Sequence, residues 1–317
     1  MRTTVNHHPK KSDIFKQQLL LWSQQFSDVV WLDSNNHNAK YSSYDAVLAV
    51  DAFTAIKTDY FDAFKRLKEY QTLTKDWIFG YLTYDLKNTT ERLKSQNFDG
   101  LDFPDLYFFQ PKKLFLFKAN TVEIKYLNMV DDEIEDDLIA IENYKDATFK
   151  KVNKAIKIKL RQTKDAYFEK ATKMLAHIQR GDIYEANFCQ EFYAENADIN
   201  PLEAFNKLNK ISKPPFATFL KTGDKYAISA SPERYIKKQG ETIISQPIKG
   251  TAKRSANKAE DLKLAEDLAK DEKERSENIM IVDLVRNDLS QTAQKGSVTV
   301  EELCKVYSFL QVHQMIS

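Results

Sequence analysis

Two side chains able to share one displacement reaction sit at the ends of two strand-like runs. Tyr226-Ala-Ile-Ser-Ala230 passes into Ser231-Pro-Glu-Arg234. The run Ile243-Ile-Ser-Gln-Pro-Ile-Lys-Gly-Thr-Ala-Lys-Arg254 begins β-branched and breaks off at Pro247, Lys249, Gly250 and Thr251. A strand that stops this way can hold an amine still at its end. Glu233 is then placed to act as an acid toward a poor leaving group, and Lys249 as a nucleophile. Gly250 can take backbone angles closed to other residues, so its N–H can face a ligand. Spacing alone favours a surface ion pair on a hairpin, since such pairs are common and usually inert.

The whole chain bounds what such a pair can serve. At 317 residues there is room for one large domain or two, with ample core either way. The net charge of +1 gives no reason to expect nucleic acid or an anionic membrane as a partner. Cys189 and Cys304 have no metal-ligand spacing and read as buried free thiols in a reduced cytoplasm. Without a signal peptide or a long apolar run, a soluble cytoplasmic protein is expected. Neither G-x-G-x-x-G nor a P-loop occurs, so nucleotide cofactors are not expected.

The elements that position the pair follow in chain order. Met1–Lys11 reads as a mobile polar arm with His7 and His8 in solvent. A helix follows, with Ile14, Leu19, Leu20 and Trp22 on its apolar side. Val29–Ser34 and Tyr44–Val50 read as strands around a polar turn, and a helix is expected near Tyr60–Tyr70. Lys113–Lys118, Ala119-Asn120 and the alternating Val122, Ile124 and Tyr126 read as a hairpin. Such aromatic strands suit packed antiparallel sheets. The lysine-rich stretch 141–163 reads as a linker between an N-terminal part, 1–140, and a C-terminal part, 164–317; no aromatic interleaving supports a nucleic-acid patch there. Tyr167, Ala171, Leu175 and Ile178 mark a helix stopped by Gly181. Lys213-Pro-Pro-Phe216 opens a strand, as at a sheet edge. Ala259–Lys270 and Glu272–Leu289 read as helices, the second placing Glu277, Ile281, Leu284 and Asp288 on one face. Gly296–Val300 reads as a short strand and Cys304–His313 as the start of an amphipathic stretch.

Four motifs in a fixed order carry a resemblance. Ser231-Pro-Glu-Arg234, Pro247-Ile-Lys-Gly-Thr251, Asp271-Glu-Lys-Glu-Arg-Ser-Glu277 and Val282-Asp-Leu-Val-Arg-Asn-Asp288 resemble those of the chorismate-utilising enzymes. That family includes component I of anthranilate synthase and of aminodeoxychorismate synthase, and the isochorismate and salicylate synthases. The similarity runs from about Val30 to the last residue, with its most specific part from Gly181 to His313. It implies an α/β fold of two antiparallel sheets packed face to face, helices outside and the active site in the cleft. Resembling anthranilate synthases carry alanine where Lys249 stands, and aminodeoxychorismate synthases carry lysine. The resemblance therefore implies the latter, with anthranilate synthase component I as the nearest alternative. Gly181–Phe188 is similar to the family's Gly-Asp-Ile-Tyr-Gln segment, but Glu185 replaces the glutamine. Isochorismate-forming members place a lysine near that point to activate water, so that route is not implied here. Ser34 matches one wall of a tryptophan pocket, and Pro215, Phe216 and Ala217 match the other; the plainer reading is a turn and a strand start. Family members continue past the point where this sequence stops. A fragment without normal activity is therefore expected, or a non-catalytic tryptophan-binding chain.

What the resemblance implies chemically is the conversion of chorismate and ammonia to 4-amino-4-deoxychorismate. Glu233 would protonate the departing hydroxyl while Lys249 adds to the ring. Ammonia would then displace Lys249 in a second allylic shift, which returns the amine to the carbon that lost the hydroxyl. A lysine must be neutral to attack, and deprotonating an unperturbed one at pH 7 costs roughly 4–5 kcal/mol. The resemblance assigns Mg²⁺ to Glu277, with Glu274 a turn earlier as competitor; magnesium takes only one or two protein carboxylates beside substrate and water. It assigns substrate-carboxylate donors to Gly250 and Thr251, and the lining of the chorismate site to His313. A lone histidine is also what a satisfied core contains. No Cys/His glutaminase signature is found, so ammonia is expected from a separate glutamine amidotransferase subunit.

Overall fold

The computed structural model describes residues 1–37, 40–144 and 155–317. The chain runs β1 (Arg2–His7), α1 (Ser12–Trp22), β2 (Asp28–Asp33), β3 (Ala46–Thr58), α2 (Ala63–Thr74), β4 (Phe79–Leu82), α3 (Lys87–Thr90), β5 (Leu106–Lys118), β6 (Thr121–Leu127) and α4 (Ile134–Glu142). It continues through β7 (Lys159–Leu160), α5 (Lys164–Arg180), β8 (Phe192–Tyr193), α6 (Pro201–Ser212), β9 (Phe216–Thr222), β10 (Lys225–Ser231), β11 (Lys237–Gln239), β12 (Thr242–Ile244) and β13 (Ile248–Lys253). It ends with α7 (Lys258–Lys270), α8 (Glu272–Ser290), β14 (Lys305–Ser308) and β15 (Val312–Ile316). Among the described residues no helix is long and apolar enough to cross a membrane.

Contacts divide the chain into two compact units, Met1–Ala147 with Phe205–Ser317, and Thr148–Ala204. The smaller unit holds the β7–β8 pair and α5, which Thr163 caps at its start and Gly181, at φ +78°, at its end. The larger unit is organised by an eight-stranded antiparallel sheet in the order β1-β6-β5-β3-β2-β9-β10, with β4 paired to β5. β9 and β10 therefore reach back from beyond the expected linker to join β2. Part of that linker, residues 145–154, lies outside the described residues. A second sheet, β13-β15-β14, is also antiparallel.

The large sheet is buried on both faces because β3 and β5 are apolar almost without break. On one face Phe117 meets Phe15 and Phe115 meets Trp22 of α1, with Trp31 against Phe117, the rings lying 5.8–6.3 Å apart. The other face buries Val30, Val47, Ala49, Phe109, Leu114, Leu116 and Leu220 as one cluster. Fully burying one such side chain is worth about 1.5–3 kcal/mol, so this sheet dominates the fold's stability.

Several expectations hold and several do not. The β5–β6 hairpin turns at Ala119-Asn120, with Lys118 opposite Thr121. α7 and α8 stand where two helices were expected. The polar arm, however, is strand β1, paired in register with β6. His7 is mostly covered, its ring 5.0 Å from Phe15. The buried stripe of α1 uses Phe15, and Ile14 is exposed. β9 lies between β2 and β10 rather than at an edge. Gly296–Val300 forms no strand, and the stretch after Cys304 is the β14–β15 hairpin. Cys304 is buried, as read, but Cys189 is exposed.

β1 is held by one side chain. Arg2, 7% exposed, gives Nε to both oxygens of Asp76 at 2.9 Å and further N–H groups to the carbonyls of Pro111, Lys112 and Lys125. Burial works against an ionised Asp76, but the bonds from Arg2, Gln110 and the Trp77 N–H outweigh it and hold the carboxyl below its ordinary 3.8. A carboxyl lowered by folding stabilises the fold above its unfolded pKa, and that stabilisation is lost as pH falls through the folded value. Arg2→Ala should cost about 3 kcal/mol in urea unfolding at neutral pH. The mutant's stability should also fall less steeply than the wild type's between neutral pH and pH values below 3.8.

Candidate active site

β13 is an edge strand of its sheet and carries an irregularity. Ile248 is paired with Ile316, but the register shifts before Thr251 pairs with Gln314, so Lys249 and Gly250 form a bulge. A bulge re-aims the side chains it contains. Gly250 makes it possible with φ +96°, an angle that L side chains rarely adopt. Gly250 is buried and Thr251 exposed, while Lys249 lies half-buried.

Glu233 reaches this bulge from the turn after β10. Ser231 Oγ accepts from the Glu233 N–H at 3.2 Å and closes the Ser-Pro-Glu turn. The Glu233 carboxylate then accepts the Ile248 N–H at 3.3 Å. The acid proposed from the sequence is therefore bonded to the backbone of the residue preceding Lys249.

α8 approaches the bulge from the side of Gly250. A Cβ on Gly250 would lie 3.2 Å from Glu274 Oε2, so Glu274 packs on the glycine itself. Glu277, one turn on, is half-exposed and pairs with Lys273 at 3.2 Å. The two carboxylates sit three residues apart on one helix, and their oxygens suit a hard cation such as Mg²⁺. Among the described residues no group of three or more His, Cys, Asp or Glu is placed to hold a metal. A site completed by substrate and water requires no such group.

Asn278 was not singled out from the sequence. It is 1% exposed and donates to the Lys249 carbonyl at 3.1 Å and the Met315 carbonyl at 3.2 Å. Asn278 and Val282 are the buried residues of α8, one position on from the face expected to carry Glu277 and Ile281; Leu284 is exposed. An asparagine inside a helix competes with the backbone, which is the sequence signal that it makes a specific bond.

His313 is placed as a core histidine. It is 1% exposed, with Nδ1 2.7 Å from Ser308 Oγ and Nε2 3.0 Å from Asp261 Oδ1. The Asp261 carboxyl is held far below the carboxylate range, first by the Arg254 guanidinium, then by the Ser255 N–H, with His313 adding to these. An ionised Asp261 can only accept, so Nε2 carries the proton. Both ring nitrogens thus join β15 to β14 and α7.

The residues expected at the other pocket lie on or next to the neighbouring strands β2 and β9. Asp33 pairs with Ala217, which sets Ser34 beside Pro215 and Phe216. Ser34 Oγ is buried without a hydrogen-bond partner among the described residues. Burial raises the Asp33 carboxyl above its ordinary value, with Lys16 only partly opposing. Phe216 pairs with Ser231, and the Arg234 guanidinium lies 5.2 Å over the Phe216 ring. Glu185 belongs to the unit Thr148–Ala204.

Residues 20–317 match the chorismate binding enzyme family, and the chain belongs to it. Among individual relatives, it is similar to aminodeoxychorismate synthase component 1 of Escherichia coli (strain K12), 40% identical over 155 residues, which cover 49% of this chain and 34% of that protein. Anthranilate synthase component 1 of Thermus thermophilus is 29% identical over 247 residues, 76% of this chain and 53% of that protein. The matched stretches thus span between a third and about half of these curated relatives. The solved anthranilate synthase component I from Streptococcus pneumoniae superposes with a TM-score of 0.70 at 21% identity, covering 89% of this chain and 71% of that one. The isochorismate synthase MenF from Escherichia coli gives 0.63 at 13%, covering 100% and 69%. The fold is accordingly the family's α/β fold, antiparallel sheets with helices outside.

Gly250→Ala should destabilise the protein by about 1–3 kcal/mol, because alanine at this φ is strained and its methyl must also displace Glu274 or Met315. Urea unfolding checks this.

Proposed function

We propose that this chorismate-binding chain carries the chemistry of aminodeoxychorismate synthase component I, aminating chorismate to 4-amino-4-deoxychorismate. The observation that supports it most is the bulged Lys249, with the Glu233 carboxylate bonded to the preceding N–H. Glu233, exposed and adjacent, protonates the ring hydroxyl so that it leaves as water. Lys249 Nζ forms the C–N bond as that C–O bond breaks, and ammonia then displaces the lysine with return of the double bonds. Gly250 and Thr251 offer backbone donors to a substrate carboxylate. Glu277, with Glu274 beside it, would hold Mg²⁺, which when bound neutralises the ring carboxylate. Ammonia is drawn from a glutamine amidotransferase subunit. His313 serves this site through the strand it fixes. Tryptophan is the ligand proposed for Ser34, Pro215, Phe216 and Ala217, where the unpartnered Ser34 hydroxyl awaits a polar group.

A second reading, anthranilate synthase component I, draws on the 29% match over 76% of the chain. Chorismate and Mg²⁺ without ammonia should leave an adduct of chorismate less one water on Lys249, found by peptide mapping and absent from Lys249→Ala. Added ammonia should release 4-amino-4-deoxychorismate. Release of anthranilate, or product formation undiminished in Lys249→Ala, would remove the lysine mechanism. Calorimetry should show tryptophan binding that Phe216→Ala abolishes.

A further inference from the structure

We propose that Asn278 is a positioning residue, which fixes the Lys249 peptide and so aims its amine. This rests on the lysine chemistry just proposed. The bulge takes Lys249 out of the strand ladder, since the register resumes only at Thr251. Its carbonyl must then find a donor outside the sheet. The donor is the Asn278 carboxamide, which also ties the Met315 carbonyl on β15. The same side chain's oxygen accepts from Ser317 Oγ at 2.5 Å, and the Cys304 thiol lies 3.7 Å away. Ser317 in turn accepts the Cys304 N–H at 2.8 Å, and its own N–H donates to the Pro247 carbonyl. Every polar atom of the carboxamide is engaged, so it has a single orientation. Leucine or alanine would pack at this position, yet neither could hold two carbonyls from different strands. Only one of those carbonyls belongs to the reactive residue.

The test compares Asn278→Asp with wild type by two measurements. Site-resolved acylation by acetic anhydride reports the accessibility and basicity of Lys249 against pH, with exposed Lys253 on the same strand as internal reference. Single-turnover formation of the Lys249 adduct gives rate and chorismate affinity separately. Asn278→Asp keeps the acceptor to Ser317 and loses both donors. The expected result is a shifted Lys249 acylation profile with Lys253 unchanged, and adduct formation slowed by up to about 100-fold, the effect of a small misplacement, at little changed affinity. Lowering pH to protonate the new carboxyl should restore part of the wild-type profile. Ser317→Ala, which loosens the carboxamide without removing its donors, should shift the profile in the same sense and serves if Asn278→Asp does not fold. Unchanged Lys249 acylation in a folded variant, or equal changes at Lys249 and Lys253, would overturn the proposal. A wild type that forms no adduct would remove the lysine chemistry from this chain, while the acylation profiles would still decide whether Asn278 positions Lys249.

Discussion

A bulge removes a carbonyl from its ladder, and inside a packed interface that carbonyl needs a donor from elsewhere. The hydrogen bond from Asn278 to Lys249 answers this need, and much of the smaller sheet is arranged around it. A satisfied bond of this kind is worth about 1 kcal/mol net, but an orphaned carbonyl costs about 1–3 kcal/mol. Asn278 holds two such carbonyls, so the asymmetry counts twice. Beside it lies an apolar cluster of Leu268, Cys304 and Met315. Arg254, Asp261 and His313 brace its other end. The helices therefore fix the strands by a few directed bonds, set within a core that has little orientational preference of its own.

The large sheet makes a different contribution. Asp33, Ala217 and Ala230 lie in one row across β2, β9 and β10. Adjacent strands are about 4.8 Å apart, so Ser34 and the start of the Glu233 turn are separated by roughly 10 Å. Phe216 sits between them, paired with Ser231 and covered by Arg234. Residues from two separate motifs are thus placed by one strand register. A one-residue slip of β9 would turn Phe216 to the opposite face and break both placements.

What could be read from the sequence depended on how local its cause is. The β5–β6 hairpin needed only alternation and a two-residue turn, and α5 needed only its period and Gly181. Both causes lie within the segment. β1 does not read as a strand because its residues are polar and its partner, β6, is some 120 positions away, with Arg2 reaching Asp76. The β14–β15 hairpin does not read as one because its alternation is short and its partners, α7 and β13, are remote in sequence. The motif residues Glu233 and Lys249 were legible as types, but the bond from Ile248 to Glu233 was not, since it depends on a shifted register. His313 shows the converse. Its place in the motif order pointed to a ligand, whereas Ser308 and Asp261 use both of its nitrogens.

The adjacency of Glu277 and Asn278 ties these elements together. Successive residues of a helix point about 100° apart, so neighbours in sequence serve different surfaces. Asn278 faces β13 and holds the Lys249 peptide, while Glu277 is half-exposed and free of the strand interface. One turn earlier, Glu274 lies against Gly250. A rotation of α8 about its axis would move Glu277 outward and at once strip the donor from Lys249. Because both groups ride on one rigid element, the spacing between the carboxylates and the lysine backbone is set by the helix itself. A loop could carry the same residue types, but it would leave that spacing to fluctuate. The helical motif Glu274 to Asn278 thus places two carboxylates and a carbonyl clamp in a fixed relation to a single lysine.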